Sequence, residues 1–174
     1  MRSVLYGAAC SLDGFIAGDN DEVEWLHWSD DVARISGEVW STTDTVLMGR
    51  RTYEVAVQNG MDAYPGVQNI VFSRTLALSK PIPDLTIVRD EAAGFVRDLK
   101  EQEGRGICVM GGGRLAGSLL AAGLIDEVGV NIHPVLLGSG IPLFPAGDYR
   151  AHLTLTDSRP IKRGCFYARY RVDQ

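Results

Sequence analysis

Three short stretches of this sequence combine residue types that suit a phosphate. Gly49-Arg50-Arg51-Thr52 follows an apolar run and offers two guanidiniums and a hydroxyl. Ser73-Arg74 closes a second apolar run with a hydroxyl and a guanidinium, and Gly111-Gly112-Gly113-Arg114-Leu115 closes a third with consecutive glycines. Arginine presents a fixed fork of N–H donors that matches phosphate oxygens. Consecutive glycines let the backbone approach a ligand closely, and a helix that starts after them offers unpaired N–H groups and the positive end of its dipole. Each stretch also has a plainer reading, as a tight turn with no ligand or as arginines in solvent. What they share is a place at the end of a strand-like run.

The elements that position them follow from hydrophobic spacing. Gly106 to Leu124 reads as strand, glycine turn and helix: Ile107, Cys108 and Val109 precede the glycines, Leu115, Ala116, Leu119 and Leu120 follow at helical spacing, and Gly123 supplies a C-cap. Arg2 to Cys10 is a buried strand whose small Gly7, Ala8 and Ala9 leave room for a flat group against the backbone. The loop from Ser11 through Asp13 and the polar Asp19 to Glu22 stretch to Trp25 is a candidate lid or site wall. Asp13 is its best-placed acid for orienting or protonating a substrate, the alternative being a solvated acidic loop. Ser29 with Asp30 and Asp31 opens a helix carrying Val32, Ile35, Val39 and Trp40 on one face, so capping accounts for those two acids.

Thr45–Met48, Asn69–Arg74, Leu85–Val88 and Ile125–His133 read as further strands, Asp90 as the cap of a helix through Leu99, and Leu136–Phe144 as a compact loop. Leu153 to Thr156 and Phe166 to Val172 alternate with period two, as antiparallel strands do. The sum is one domain spanning 1–174, a three-layer α/β/α fold with a mixed, mainly parallel central sheet and antiparallel C-terminal strands. Ligands of such sheets collect beyond the carboxyl ends of the strands, where all three stretches fall. A cation at Arg74 suits a 2′-phosphate, which favours NADP over NAD. Gly111 to Ala116 formally matches the dinucleotide fingerprint Gly-x-Gly-x-x-Ala but fits it poorly, because the next strand ends in His133-Pro134 and the chain then turns antiparallel.

Composition narrows the classes. With 45% hydrophobic and 22% charged residues and a net charge of −5, the chain reads as a globular protein without nucleic acid or an anionic membrane surface as partner. No apolar run has the length of a membrane span. Cys10, Cys108 and Cys165 are scattered in apolar runs and read as buried reduced thiols, which places the protein in the cytoplasm; with His27, His133 and His152 equally dispersed, no metal site is expected.

Taken together, Ser11-Leu12-Asp13-Gly14, Val46-Leu47-Met48-Gly49-Arg50-x-Thr52, Phe72-Ser73-Arg74, Gly111 to Leu115, Gly123-Leu124-Ile125-Asp126-Glu127 and Pro134 to Phe144 recur in this order in a known superfamily. The chain resembles dihydrofolate-reductase-like proteins, most closely the stand-alone proteins similar to the reductase domain of the bifunctional riboflavin-biosynthesis deaminase/reductase. The resemblance implies an NADPH-dependent reductase, with Gly49, Arg50, Arg51 and Thr52 on the adenylyl and pyrophosphate portion, Ser73 and Arg74 on the 2′-phosphate, and Gly111, Gly112, Gly113, Arg114 and Leu115 on the pyrophosphate. It further implies a cis peptide between Gly111 and Gly112, backbone contacts from Ala9 and Ile16 to the nicotinamide carboxamide, Trp25 on the substrate side, a small-molecule substrate and a homodimer.

The departures lie in the substrate half. Ala33 stands where folate reductases carry a carboxylate, Val55-Ala56-Val57-Gln58 replaces an Ala-Asp-Asp-Pro, and Met110 replaces a glutamate before the glycines. The expected activity is hydride transfer from NADPH to a small pteridine- or pyrimidine-like heterocycle, the alternative being a non-catalytic NADP(H)-binding module.

Overall fold

Side-chain parity along the strands decides which helix covers which face. The computed structural model describes residues 1–173. It runs β1 (Val4–Ser11), β2 (Phe15–Ala17), α1 (Asp30–Thr42), β3 (Thr43–Gly49), α2 (Arg50–Gln58), β4 (Gln68–Phe72) and β5 (Leu85–Val88). There follow α3 (Ala92–Glu101), β6 (Gly106–Met110), α4 (Gly113–Ala121), β7 (Glu127–His133), β8 (Ile141–Pro142), β9 (Leu153–Pro160) and β10 (Phe166–Val172).

The main sheet has eight strands in the order β5-β4-β3-β6-β1-β7-β10-β9. Every neighbouring pair from β5 to β7 is parallel, and β10 runs antiparallel to both β7 and β9. Val4, Tyr6, Leu47, Ile70 and Val109 point to the face covered by α3 and α4 through Val96, Leu99, Ala116 and Leu119. Their sequence neighbours Val46, Met48 and Val71 point to the other face, under Tyr53 of α2. There Ile35 of α1 meets Ile161, Cys165 and Tyr167. Strands buried on both faces need such unbroken apolar runs, each fully buried aliphatic side chain contributing about 1.5–3 kcal/mol. The expected mixed sheet, helices on both faces and antiparallel C-terminus are all present.

Local expectations hold with corrections. Ser29 caps α1, accepting from the Val32 N–H. The cap of α3 is Glu91 and not Asp90, because the longer Glu91 side chain reaches back to the Ala93 and Gly94 N–H groups, both at 2.8 Å. β4 ends at Phe72, so Ser73 and Arg74 lie in the loop beyond it. The stretch from Leu136 to Phe144 is not all loop: β8 pairs with β2 in a small second sheet. The expected cis peptide at Gly111-Gly112 is absent, as is any other among the described residues, since Gly111 (φ 54°) and Gly112 (φ 69°) make the turn with two left-handed residues instead. Cys10, Cys108 and Cys165 are buried and unpaired, as read from their surroundings. No helix among the described residues is long and apolar enough to cross a membrane.

Candidate functional site

Two helices start without side-chain caps at neighbouring strand ends. Gly49 ends β3 and caps α2, Gly112 follows β6 and caps α4, and neither has a side chain to bond the first N–H groups. Those donors are left for an outside acceptor. The two starts touch: a Cβ added to Gly112 would lie 3.0 Å from Thr52 Oγ1 and 3.9 Å from the Gly49 nitrogen, and one on Gly111 would lie 3.3 Å from Thr52 Cγ2. The Thr52 hydroxyl makes no hydrogen bond within the described residues. Gly113 packs against the Pro142 and Leu143 carbonyls, where any Cβ would collide. Arg114 is exposed on the first turn of α4, and Leu115 packs on the core.

The arginines divide into two kinds. Arg50 pairs with Glu54 at 2.6 Å and donates to Thr75 Oγ1 at 2.5 Å, tying α2 to the Ser73–Leu76 turn. Arg51 pairs with Asp21 at 2.6 Å and so anchors the loop after β2. Ser73 Oγ accepts from the Leu76 N–H at 3.0 Å, and Arg89 donates to the Arg74 carbonyl at 2.5 Å. The loop is therefore fixed, while the exposed Arg74 guanidinium makes no hydrogen bond or ion pair within the described residues.

Asp13 is held as an anion. Its carboxylate accepts from Ser11 Oγ (2.6 Å), the Leu137 N–H (3.1 Å) and the Gly138 N–H (2.8 Å). The Ser11 hydroxyl first, and then the Gly138 amide, hold its carboxyl below the usual carboxylate range. Asp13 is thus a clasp between the first strand and the Leu136–Gly138 turn, and a poor proton donor.

Behind the junctions, on the α1 face, lies a cavity of about 200 Å3 lined by Ala9, Trp28, Trp40, Met110, Asn131 and Tyr167 among others, with no charged side chain. Ala9 and Met110 place one end of it at the carboxyl ends of β1 and β6, where the glycine turn begins. Ile16, in β2, packs against the neighbouring core. Trp25 does not line the cavity: it donates to the Glu22 carbonyl at 3.1 Å and stands edge-on to His133 at 5.5 Å, and Trp28 lines the cavity in its place. Burial pushes the Cys108 thiol up to about 12, so it is no nucleophile at neutral pH.

His133 is buried, its Nδ1 3.4 Å from the His27 backbone nitrogen and 3.5 Å from Cys165 Sγ, its Nε2 3.2 Å from the Asn131 amide. Burial, and then His27, lower its basicity, so the ring is neutral at pH 7. Asn131 and Tyr167 were not among the residues singled out in the sequence; the one available signal was a lone amide inside the apolar run from Val128 to Ile132.

A broader depression of about 620 Å3 lies at the other end of the strands, but its charged side chains are paired, Lys100 with Asp126 and Arg169 with Glu127, both at 2.5 Å, and Arg2, Asp157 and Arg171 with Asp44, Arg159 and Asp173 beside it. Among the described residues no group of three or more His, Cys, Asp or Glu is placed to hold a metal.

A mainly parallel sheet with an antiparallel C-terminal pair, and glycine-started helices at neighbouring strand ends, defines the dihydrofolate-reductase-like class of α/β fold. Within it, the chain belongs to the family of RibD C-terminal domains, whose model matches residues 2–167. It is 34% identical over 145 residues to the uncharacterized protein YwjB of Bacillus subtilis (strain 168), 82% of either chain. To the uncharacterized YyaP of the same organism it is 31% identical over 176 residues, 94% of this chain and 91% of that one. A Shewanella sp. PV-4 structure provisionally assigned to riboflavin biosynthesis matches with a TM-score of 0.87 at 24% identity, covering 99% of this chain and 100% of that one. Dihydrofolate reductase from Enterococcus faecalis, solved with NADP(H), matches with a TM-score of 0.69 at 16% identity, covering 99% and 97%. At these identities the structural likeness carries the fold.

Two predictions follow from the geometry. Gly112→Ala puts a Cβ on a left-handed residue (φ 69°) against Thr52, so urea unfolding should show a loss of about 1–2 kcal/mol; unchanged stability would mean that the turn is free to relax. Because the Asp13 carboxyl is depressed, its clasp is fully formed above about pH 4 and lost as pH falls through the folded value. Amide exchange at Leu137 and Gly138, corrected for intrinsic rates, should hold constant from pH 7 to 5 and accelerate in Asp13→Asn, and equal protection in the variant would refute the clasp.

Proposed function

We propose that this protein is an NADPH-dependent reductase of small heterocycles. The observation that carries the reading is the meeting of two uncapped helix starts, at Gly49 and Gly112, beside the unpaired Arg74 and at the mouth of an apolar cavity. The donors fit the cofactor. N–H groups of α2 and α4 and the free Thr52 hydroxyl would hold the pyrophosphate, Gly111 and Gly112 leave the space that a Cβ would fill, and Gly113 to Leu115 form the first turn that presents the amides. Arg74, on a loop fixed by Ser73 and Arg89, would meet the 2′-phosphate. Arg50 and Arg51 support this as struts, since their own guanidiniums are paired.

Bound NADPH supplies a hydride to an electron-poor ring carbon of the substrate. Ala9 and Ile16 would offer backbone groups to the carboxamide, and the apolar lining around Met110 and Trp40 would keep water from the transfer. The lining holds no carboxylate, imidazole or ammonium, so the accompanying proton would come from water. That same absence of an acid favours the second reading, an NADP(H)-binding module without turnover.

The protein is further proposed to work in the cytoplasm, in keeping with its three free thiols, and as a homodimer. Support for the dimer is the C-terminal edge, where Leu153, Leu155 and Phe166 are exposed on β9 and β10.

Arg74→Ala should weaken NADPH at least about tenfold by calorimetry and leave NADH within about twofold; equal losses would remove Arg74 from the 2′-phosphate. NADPH oxidation over a panel of pteridines and pyrimidines separates enzyme from module, and a failure to bind NADPH refutes both. Light scattering should give twice the 18.9 kDa chain mass, with Leu155→Arg shifting it to the monomer; a monomeric wild type would refute the dimer.

A further inference from the structure

We propose that His133 is a positioning residue: through the His27 amide it holds the segment from Trp25 to Trp28 against the end of β7, so that Trp28 walls the cavity, and a proton on its ring releases that wall. The latch stands on its own geometry, and its bearing on substrate rests on the reductase reading of the site.

Trp28 is where the need arises. Its side chain lines the cavity, yet the residue is 69% exposed, so its own packing holds it weakly. Its place is set by the backbone that carries it. Asp19 and Asp21 anchor the start of that loop to Ser139 and Arg51, and Ser29 begins α1 at its end. Between these anchors, bonds such as Leu26 N–H to the Val23 carbonyl and the Trp25 indole to the Glu22 carbonyl stay within the loop. The tie from its backbone to the sheet is the His27 N–H, which donates to His133 Nδ1 at 3.4 Å. The Trp25 ring stands edge-on to the same imidazole at 5.5 Å, and the His27 ring lies 5.9 Å from it.

The tie depends on a neutral ring. A backbone N–H can only donate, so Nδ1 is the accepting nitrogen and the ring hydrogen sits on Nε2. The Cys165 thiol, kept protonated by burial, is a second donor 3.5 Å from Nδ1. The Asn131 amide, 3.2 Å from Nε2, accepts there once half a turn exchanges its nitrogen for its oxygen. A proton on Nδ1 sets N–H against N–H and buries a charge.

The surroundings offer that charge no free anion. The loop presents the His27 ring, with Arg163 Nη1 3.5 Å from it, and Glu22, whose carboxylate is taken by Asn20. The turn before β10 presents Arg163 and Cys165, and β7 presents Asn131. On β1, Ser11 is in register with His133 but gives its hydroxyl to Asp13, whose carboxylate also holds the Leu137 and Gly138 amides. Burial, and then His27, lower the basicity of His133. The latch is therefore complete above the ordinary histidine value of about 6.5 and weakens as pH falls below it toward the folded value. One proton acting between pH 6.5 and 5 changes the closed-to-open ratio by at most about thirtyfold.

Amide exchange at His27, corrected for intrinsic rates, tests the latch. Protection should fall severalfold, and by no more than about thirtyfold, from pH 7 to 5, while Leu137 and Gly138 stay constant and show that the fold is intact. His133→Asn keeps an acceptor where Nδ1 stood but does not titrate, so it should preserve the protection and abolish its pH dependence; His133→Leu should lose the protection at pH 7. Flat protection in the wild type, or the wild-type pH dependence in His133→Asn, would overturn the latch. Calorimetry with pteridine-2,4-dione on NADP+-saturated protein tests the wall: Trp28→Ala and His133→Leu should each weaken the ring at least about fivefold, with NADP+ affinity within about twofold. Unchanged affinity for the ring in either variant, or no binding of the ring by wild type that does bind NADP+, would overturn the positioning role and leave the cofactor reading standing. Failure of the wild type to bind NADP+ would refute the reductase reading, and with it the bearing on substrate, while the exchange result still decides the latch.

Discussion

The approach of Gly112 to Thr52 is the constraint on which the rest of the site depends. β3 and β6 are neighbours in the sheet, yet β3 leads into α2 on one face and β6 into α4 on the other. Adjacent strands whose following helices part to opposite faces create the crevice where open α/β sheets bind ligands. In this chain the crevice is so tight that a methyl group on Gly112 would meet the threonine at 3.0 Å. Glycine is required there both for space and for the left-handed backbone (φ 69°), and one residue thus meets two demands.

The two halves of the site are built from different material. The side proposed for the cofactor is mostly backbone: helix N–H groups exposed by Gly49 and Gly112 and a turn held by Ser73 and Arg89. Side chains there serve mainly to brace it, Arg50 across to Thr75, Arg51 across to Asp21, Asp13 across to Gly138. The cavity proposed for the substrate is lined from α1, β1, β6, β7 and β10. Backbone donors survive changes of sequence that would alter a side-chain wall. Such a cavity can be remade while the backbone donors stay, and of the departures noted in the sequence Met110 lies in its lining.

The same division explains how much was legible beforehand. Strands β1, β3, β4 and β6 announce themselves as unbroken apolar runs buried on both faces, and the turns after β3 and β6 as glycines that close such runs. The fold class followed, and so did the place of these turns at the strand ends. The cap of α3 was displaced by one residue because Glu91 and Asp90 can each cap a helix and only the approach of the chain chooses between them. The β2–β8 pair was invisible, since strands of three and two residues carry no period. Trp25 and Trp28 are three positions apart in an irregular loop, where no periodicity says which faces the cavity. His133 was hidden for a different reason: its meaning comes from Cys165 and His27, brought to it only by the pairing of β7 with β10 and the return of the loop before α1.

A cavity without an acid shifts demands onto the substrate. Cys108 keeps its proton up to about 12, and burial, then His27, lower the basicity of His133, which leaves its ring neutral at pH 7. Neither protonates a ring before hydride arrives. On the reductase reading proposed above, the substrate would have to be electrophilic as it stands, as is a conjugated heterocycle with a carbonyl in line with the reacting carbon. Hydride addition moves negative charge onto that carbonyl oxygen. On the proposed reading the chain would grip and orient the cofactor and leave activation to the substrate itself.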